Sequence, residues 1–557
     1  MKVIFSLLLL CTVIALMLFG AFFYLSKNPH ARLYSIYREL SLKFDIWSPI
    51  KRKGFQNVIE RSGIKRYPHT TGASWRDINQ DGYLDLFILG GPGKRMLYLN
   101  NGNGTFTDVT ERTGIGAFSW PWSAVFGDYN NDGCPDLYIV NGGGSKGEPG
   151  LQDALYRNNC DGTFTDITGR AGIRDKLNGR GAAWADYNSD GYLDLYVANY
   201  GSIADDGTWV AQPNILYENN GNGTFTDVTK KAGVIGMANC PNEVRKNKSS
   251  LHHPNKMHQK NAYQPIWFDY DGDGKIDLFV ATENGVSPLY RNNGNGTFQD
   301  VTYAAGLCTM GTNMGVTVGD YDNDGNLDIY TTNAGQNYLW RNNGDGTFSE
   351  ISRKSGVANT LSLGWGTEFL DYDNDGHIDI FVANGSTATP SANLWDSDLG
   401  EFKLDKLFKN RGDGTFSDVS LMEGIEGNDA KEAAAVGDYN NDGFVDILVL
   451  SSAYTDLALH RLYQNQGNKN HWITIQLVGT KSNRDAIGAK ILLTSGGRTQ
   501  IREIISGSSY VSQSSLWQTF GLGLASRIDT IEIKWPSGTI QQLQNIKADQ
   551  KIVVIEQ

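Results

Sequence analysis

The sequence predicts an all-β protein: a seven-bladed β-propeller followed by a C-terminal β-sandwich and preceded by an N-terminal transmembrane helix. Three observations carry this reading. An acidic nonapeptide, D-x-[ND]-x-D-G-x-x-D, recurs seven times, and a repeat at such a period is the signature of a radial or solenoid array. Each copy lies between two apolar stretches of strand length and is followed by two more, the last pair joined in most repeats by an Asn-Gly or Asp-Gly turn. The composition, with 65 glycines and 11% aromatic residues, suits short strands and tight turns.

Residues 1–26 come first. Positions 3–25 (VIFSLLLLCTVIALMLFGAFFYL) are an uncharged apolar run, long enough to cross a bilayer as a helix and longer than the apolar core of a cleaved signal peptide. No small-x-small cleavage site stands clearly at its end, so the run is read as an uncleaved signal anchor. Cys11, preceded by Leu10, lies too early for a lipoprotein cysteine. Residues 27–53 form a basic juxtamembrane linker. Its lysines and arginines, set against Lys2 alone upstream, would by the positive-inside rule leave the large domain in the cytoplasm. Two considerations outweigh that rule: long domains cross membranes largely regardless of charge, and weak calcium loops need the millimolar calcium found outside cells. Within the linker, Leu33, Ile36, Tyr37, Leu40 and Phe44 recur at helical spacing, which fits either a helix on the membrane surface or a solvated stalk.

Residues 54–468 hold the repeats. The acidic loops are DINQDGYLD (77–85), DYNNDGCPD (128–136), DYNSDGYLD (186–194), DYDGDGKID (269–277), DYDNDGNLD (320–328), DYDNDGHID (371–379) and DYNNDGFVD (438–446). Stretches such as WSAVFG precede them, and stretches such as LYVAN follow. Segments such as LYLNNGNGTFTDVT then supply a third and a fourth strand, completing the antiparallel meander of a propeller blade. The seventh copy has a third strand, LYQNQG (462–467), and no fourth. The missing strand is predicted at the other end of the domain, where GFQNVIERSGI (54–64) matches GTFTDVTERTGI (104–115). Phe55 precedes Asp77 by 22 residues, the interval from Phe106 to Asp128, Phe164 to Asp186, Phe298 to Asp320 and Phe416 to Asp438. Pairing this segment with the last blade closes the ring and removes the sheet edges an open array would expose. Residues 469–557 break the repeat and alternate apolar with polar residues in HWITIQLVG, IGAKILLT, RIDTIEIKW and KIVVIEQ, the pattern of a β-sandwich.

In each nonapeptide, oxygen ligands at positions 1, 3, 5 and 9, a backbone carbonyl at 7 and a turn-forming glycine at 6 suit a hard cation of flexible coordination, with calcium the expected ion. The candidate ligands are Asp77, Asn79, Asp81 and Asp85 in the first loop, Asp128, Asn130, Asp132 and Asp136 in the second, and Asp186, Asn188, Asp190 and Asp194 in the third. They continue with Asp269, Asp271, Asp273 and Asp277, then Asp320, Asp322, Asp324 and Asp328, then Asp371, Asp373, Asp375 and Asp379, and end with Asp438, Asn440, Asp442 and Asp446. About seven calcium ions are expected. An EF-hand is excluded, because its twelfth position needs Glu and here holds Ile88, Ile139, Val197, Val280, Thr331, Val382 or Val449. The formal net charge of −12 is thus mostly metal-ligand inventory, and nothing resembles a nucleic-acid footprint.

The loops and their flanking strands resemble FG-GAP or VCBS repeats, as in integrin α-subunit propellers. The tail, with SNRDAIGAKI (482–491), SGSSYVSQSS (506–515), FGLG (520–523) and IEIKWPSG (531–538), resembles the ASPIC/UnbV domain of the cartilage acidic protein family. The resemblance implies the propeller fold, calcium and an extracytoplasmic setting. The chain departs from animal members of that family in lacking an EGF-like module with paired cysteines.

In a blade, the first-to-second and third-to-fourth connections share one face. Cys134 and Cys160 fall together there, so a disulfide between them is expected. Cys240 and Cys308, in blade-to-blade connections on the other face, form a second candidate pair. The long insertions 142–153, 200–213, 236–262 and 385–406 also lie on that second face, which is the expected partner surface for a protein or glycan. Trp209 and Trp395 lie in these insertions, and Trp120 and Trp122 are read as lying in a neighbouring connection; all four are candidate anchors. His252, His253 and His258 read as a mobile polar loop, because only Glu243 stands near enough in sequence to complete a metal set. Asn247 and Asn384 stand in glycosylation sequons. The expected function is a membrane-anchored, extracytoplasmic binding or assembly module. The alternative is a propeller-based lyase or hydrolase acting on carbohydrate, a fold-level possibility for which no nucleophile elbow or metal-hydrolase signature is found.

Overall fold

Each acidic nonapeptide reverses the chain by the same backbone device. Its sixth residue, always glycine, has a φ between 84° and 93°, and its fourth residue is also left-handed, from Asn323 at 56° to Gly272 at 72°. Glycine has no Cβ to oppose a positive φ. The computed structural model describes residues 54–557 apart from 92, 143–149, 204–208, 237, 242–260, 284, 360–361, 386–403, 427–430 and 452–459. The apolar run 3–25, the basic linker, His252, His253, His258, Glu243, Asn247 and Trp395 lie outside the described residues. Among the described residues no helix is long and apolar enough to cross a membrane.

The stretches flanking each loop pair as antiparallel strands, and two more strands complete a four-stranded sheet. The first sheet holds Thr70–Arg76, Asp85–Gly90, Arg95–Asn100 and Phe106–Asp108 in spatial order, and five others repeat this arrangement. The seventh contains Lys431–Gly437, Asp446–Ser451, Arg461–Asn465 and, at its edge, Phe55–Asn57 from the opposite end of the described chain. Phe55 lies across from Asn465 and Asn57 across from Tyr463, the pairing that the 22-residue spacing predicts. Phe55, Val58, Ile59 and Ile64 are all buried.

The sheets pack side by side in a cycle. The first strand of each contacts the first strand of the next, and Lys431–Gly437 of the seventh contacts Thr70–Arg76 of the first. Because the inner strands are covered on both sides, they are buried at nearly every position rather than alternating between buried and exposed. A seven-fold side-chain staple reinforces the cycle. The asparagine ending each third strand (Asn100, Asn158, Asn219, Asn292, Asn342, Asn410 and Asn465) is buried. Its Nδ2 donates to the backbone carbonyl of the second loop residue in the preceding sheet. The partners are, in order, Tyr439, Ile78, Tyr129, Tyr187, Tyr270, Tyr321 and Tyr372. The bond from Asn100 to Tyr439, 2.8 Å long, crosses the seam between the first and last sheets.

The tail forms two further sheets. In one, His471–Val478 runs antiparallel to Gln518–Gly523 and parallel to Gln550–Ile555. The other has the order Arg498–Glu503, Lys490–Ser495, Arg527–Lys534, Ile540–Lys547. Ile473, Ile475 and Leu477 of the first share a core with Ile491, Leu493, Ile531 and Ile533 of the second.

Between these sheets the chain leaves the tail and enters the ring. Gln513 exchanges backbone hydrogen bonds with Ala73 and Trp75, and its side-chain amide bonds both the N–H and the carbonyl of Phe126. Gly507 lies against Ala182, where a Cβ would come within 2.5 Å of the Ala182 carbonyl. Val511 donates to Gln264, Ser509 pairs with Val316, the Ser509 hydroxyl accepts from Thr367 N, and Ser515 donates to Val436. Residues 506–515 therefore touch the inner strand of every sheet and fill the axis.

Two expectations need correction. Trp122 lies inside the inner strand Pro121–Gly127 and not in a connection. Asn384 is fully buried and donates to the Leu404 carbonyl, so its sequon is closed to modification.

Candidate metal centres

The seven acidic loops share one hydrogen-bond plan, which separates holding oxygens from free ones. At position 1 the Oδ2 atoms of Asp77, Asp128, Asp186, Asp269, Asp320, Asp371 and Asp438 each accept the N–H of the loop glycine at 2.7–3.0 Å. At position 9 the Oδ1 atoms of Asp85, Asp136, Asp194, Asp277, Asp328, Asp379 and Asp446 accept the N–H of the stapling asparagine at 2.7–2.8 Å. At position 5 one oxygen of Asp81, Asp132, Asp190, Asp273, Asp324, Asp375 and Asp442 accepts the N–H of residue 7. The loop and the ring staple are thus built on the same carboxylates.

Position 3 divides the loops into two classes. Asn79, Asn130, Asn188 and Asn440 donate Nδ2 to the second oxygen of the position-5 aspartate, at 2.8–3.1 Å. Where position 3 is aspartate, a cation from the third strand of the same sheet takes that role. Arg291 bonds Asp271 at 2.6 Å and Asp273 at 3.0 Å. Arg341 bonds Asp322 and Asp324, both at 2.6 Å. Lys409 pairs with Asp373, and with Asp375 at 3.2 Å. The equivalent residues beside the Asn loops are Leu99, Arg157, Glu218 and Gln464. An aspartate at position 3 is thus matched by a third-strand cation, and an asparagine needs none; at the fourth loop Lys275 on Asp273 and Lys490 on Asp269, both at 2.7 Å, add two further cations.

The free oxygens fit a cation. Carboxylate oxygens of Asp269, Asp271 and Asp273, of Asp320, Asp322 and Asp328, and of Asp371, Asp373 and Asp379 converge within 4.8 Å in each group. Among the described residues, one buried oxygen each of Asp136, Asp269, Asp322 and Asp373 has no hydrogen-bond partner, a state expensive for a carboxylate unless a positive charge is supplied. Burial, reinforced by neighbouring aspartates, pushes Asp85, Asp186, Asp371 and Asp438 up to about 7 and Asp277 to about 8. These loops are electrostatically incomplete, and a divalent ion inverts that balance. Asp132 also lies beside Cys134 and Cys160, but those sulfurs are joined and offer no thiolate.

The tail docks on this loop-bearing face. Lys490 bonds Asp269 at 2.7 Å, Asp485 accepts the N–H of Asp128 and pairs with Arg76, Arg498 reaches the Asp375 carbonyl, and Lys551 reaches the Gly82 carbonyl. Disulfides join Cys134 to Cys160 and Cys240 to Cys308, with Cα separations of 5.6 and 6.0 Å. They place the protein in an oxidising, extracytoplasmic compartment. Sequence reasoning missed the compensating cations, the stapling asparagines and the tail contacts. The first two had a signal, the residues before the Asn-Gly turn in LYRNNG and LWRNNG, which the turn reading absorbed.

The FG-GAP-like repeat description matches residues 77–139, 140–197, 269–331, 324–382 and 371–449, and ASPIC and UnbV matches residues 479–557. Cartilage acidic protein 1 of Xenopus tropicalis is 25% identical over 497 residues, covering 84% of this chain and 70% of that protein. The Homo sapiens protein of that name is 25% identical over 442 residues, covering 77% of this chain and 62% of its own length. Among solved structures, the exotype rhamnogalacturonan lyase YesX aligns at 12% identity and a TM-score of 0.36, covering 88% of this chain and 91% of that chain. A likeness that slight carries no functional argument.

Proposed function

Because the chain belongs to the FG-GAP-like repeat family and ends in an ASPIC and UnbV domain, we propose that it is a calcium-stabilised, extracytoplasmic binding module. In this reading the seven sheets are the blades of a propeller and the tail is a β-sandwich cap. The N-terminal apolar run holds the whole to a membrane, and a protein or glycan binds on the face away from the cap. The observation that supports it best is the set of unpartnered, converging carboxylate oxygens on loops that also carry the ring staples.

Calcium would supply the positive charge that the clustered carboxylates of these loops lack. Asp77 and its six counterparts hold the loop glycine, Asp85 and its counterparts hold the stapling asparagine, and the remaining oxygens face inward. Ordering these carboxylates thereby orders the contact between neighbouring blades. The scaffold can then present loops on the opposite face at fixed spacing.

The test is thermal melting in millimolar calcium and in excess EGTA, with elemental analysis of the purified protein. For dissociation constants of about 10⁻⁴–10⁻³ M, each site contributes roughly 0.4–1.4 kcal/mol, so seven contribute several. A clear fall in melting temperature on chelation is expected. Identical melting with no calcium bound would refute the assignment.

A further inference from the structure

The fourth residue of most acidic loops reaches out of its own loop into the next. With loops counted in chain order, Asn323 Nδ2 of the fifth donates at 3.2 Å to the carbonyl of Gly376, the position-6 glycine of the sixth. Asn374 of the sixth donates to Gly443 of the seventh at 2.9 Å, and Asn441 of the seventh donates to Gly82 of the first, across the seam, at 2.9 Å. Gln80 Nε2 then donates to Gly133 at 2.6 Å, and Asn131 Nδ2 to Gly191 at 2.9 Å. There the series stops. The fourth residue of the third loop is Ser189, which makes no such bond among the described residues, and that of the fourth loop is Gly272, which has no side chain. Five links therefore join six loops into one arc, from the fifth round to the third, and the fourth loop stands outside it.

The linked glycine is the pivot of each loop. Its N–H is held by the position-1 aspartate, and the residue after it, whose carbonyl is the position-7 ligand, is held by the position-5 aspartate, as Gly443 and Phe444 are by Asp438 and Asp442. Closing a loop around an ion fixes that glycine, and with it an acceptor for the loop before. The donor sits between the ligands at positions 3 and 5, so it is fixed only when its own loop closes. Each link forms fully only when both loops are ordered, which is a coupling between the two sites. The third-strand asparagines cannot make this distinction, because they staple all seven interfaces alike.

Charge sets the fourth loop apart as well. Arg291, Lys275 and Lys490 all pair with its aspartates. Among the described residues, one cation, Arg341 or Lys409, pairs with the ligands of the fifth or sixth loop, and none pairs with those of the other four. With more of its oxygens already facing cations, the fourth loop attracts a further positive charge least.

We propose that the protein binds calcium in two classes: a cooperative arc of six loops linked through Asn323, Asn374, Asn441, Gln80 and Asn131, and a separate, weaker site at Asp269–Asp277. The proposal rests on the calcium reading above and names how those sites are regulated. The arc fills over a narrow range of calcium, so the order of the ring depends steeply on that concentration. The weaker site shares Asp269 with Lys490 of the tail, so its filling at higher calcium loosens that one contact.

The test is equilibrium dialysis of the full chain against calcium, read as ions bound per chain, beside melting in the same buffers. The parent should show a steep phase and a later shallow one, and Asp273→Ala should delete the shallow phase alone. Asn441→Ser places at the centre of the arc the residue that the third loop already holds left-handed, Ser189 at a φ of 59°. It should flatten the steep phase and raise its midpoint by roughly two- to tenfold, the range one hydrogen bond covers, with the number of ions at saturation unchanged. Gly272→Asn should act in reverse. A Cβ there meets no atom within 4 Å, the new amide supplies the missing donor toward the fifth loop, and the shallow phase should move to lower calcium. If Asn441→Ser melts well below the parent in EGTA, Gly272→Asn decides alone. A single phase of equal sites, a shallow phase that survives Asp273→Ala, a steep phase unaltered in a stable Asn441→Ser, or a shallow phase unmoved by Gly272→Asn would each overturn the proposal. Calcium bound in one non-cooperative class removes this inference alone, whereas no calcium bound removes the scaffold reading with it.

Discussion

The ring is closed twice by chain segments remote in sequence, at its rim by Phe55–Asn57 and on its axis by residues 506–515. The two closures differ in kind. The rim strand replaces a missing member of a repeat and makes the same ladder as its six equivalents. The axial segment replaces nothing. It supplies backbone and side-chain partners to inner strands that would otherwise face an empty channel, and it ties the tail to all seven sheets at once. The ring and the tail are therefore one folding unit, although their sequences read as two.

The largest expected effect follows from breaking the axial closure. A variant ending at residue 470 loses Tyr510 and Val511, both fully buried, each worth about 1.5–3 kcal/mol. It also removes the acceptors of Trp75, Phe126, Val316 and Thr367 N–H. No cooperative melting transition is expected, and the soluble yield should collapse. A truncated ring that melts like the parent would show that the axis is decorated and not held.

Breaking the rim closure should come next. Deleting residues 54–65 removes the buried side chains of Phe55, Val58, Ile59 and Ile64 and opens the edge at Arg461–Asn465, a site for aggregation. The loss is several kcal/mol, since each buried side chain contributes about 1.5–3. Size-exclusion chromatography and melting of the deleted and parent chains decide it. Equal behaviour would refute the rim closure.

This contrast also explains what the sequence made legible. The rim strand was readable because Phe55 keeps the interval to Asp77 that Phe106 keeps to Asp128. The acidic loops were readable because their ligand spacing is local. The axial segment SGSSYVSQSS has no period and few apolar residues; its burial depends on hydrogen bonds to strands hundreds of residues away, such as Gln513 to Phe126. Trp122, which the strand register skips at a bulge, was hidden for a related reason. A bulge shifts one residue out of alternation, and a fully buried inner strand has no alternation from which to see the shift.

The axis has its own pH dependence. Glu368, fully buried, accepts hydrogen bonds from Ser508, Ser514 and Thr317, yet burial outweighs these and pushes its carboxyl up to about 7. With a folded value above the unfolded one of about 4.5, its protonated form favours folding below pH 4.5. That advantage is lost as pH rises through 7, amounting to about 3 kcal/mol. Glu368→Gln, uncharged throughout, should be more stable relative to the parent at pH 8 than at pH 5. A stability difference that does not change between those values would show that Glu368 does not titrate on the axis.

The smallest effect sharpens the rim closure to one hydrogen bond. Asn100 Nδ2 donates across the seam to the Tyr439 carbonyl, and Asn292 Nδ2 makes the equivalent bond to Tyr187 between the third and fourth sheets. Both asparagines also bond the carbonyl just before the position-9 aspartate of their own sheet, Leu84 and Ile276. Replacing either with alanine leaves two buried carbonyls without that donor, a loss of about 1–3 kcal/mol. In a closed ring the seam is one interface among seven, so Asn100→Ala and Asn292→Ala should lower the melting temperature equally. If the first and last sheets part in solution, water already reaches Tyr439, and Asn100→Ala should be the milder change. Combining each substitution with the 54–65 deletion separates the cases further. Once the rim strand is gone, the added loss from Asn100→Ala should shrink, while that from Asn292→Ala, three sheets from the seam, should persist, because sites without shared partners act additively.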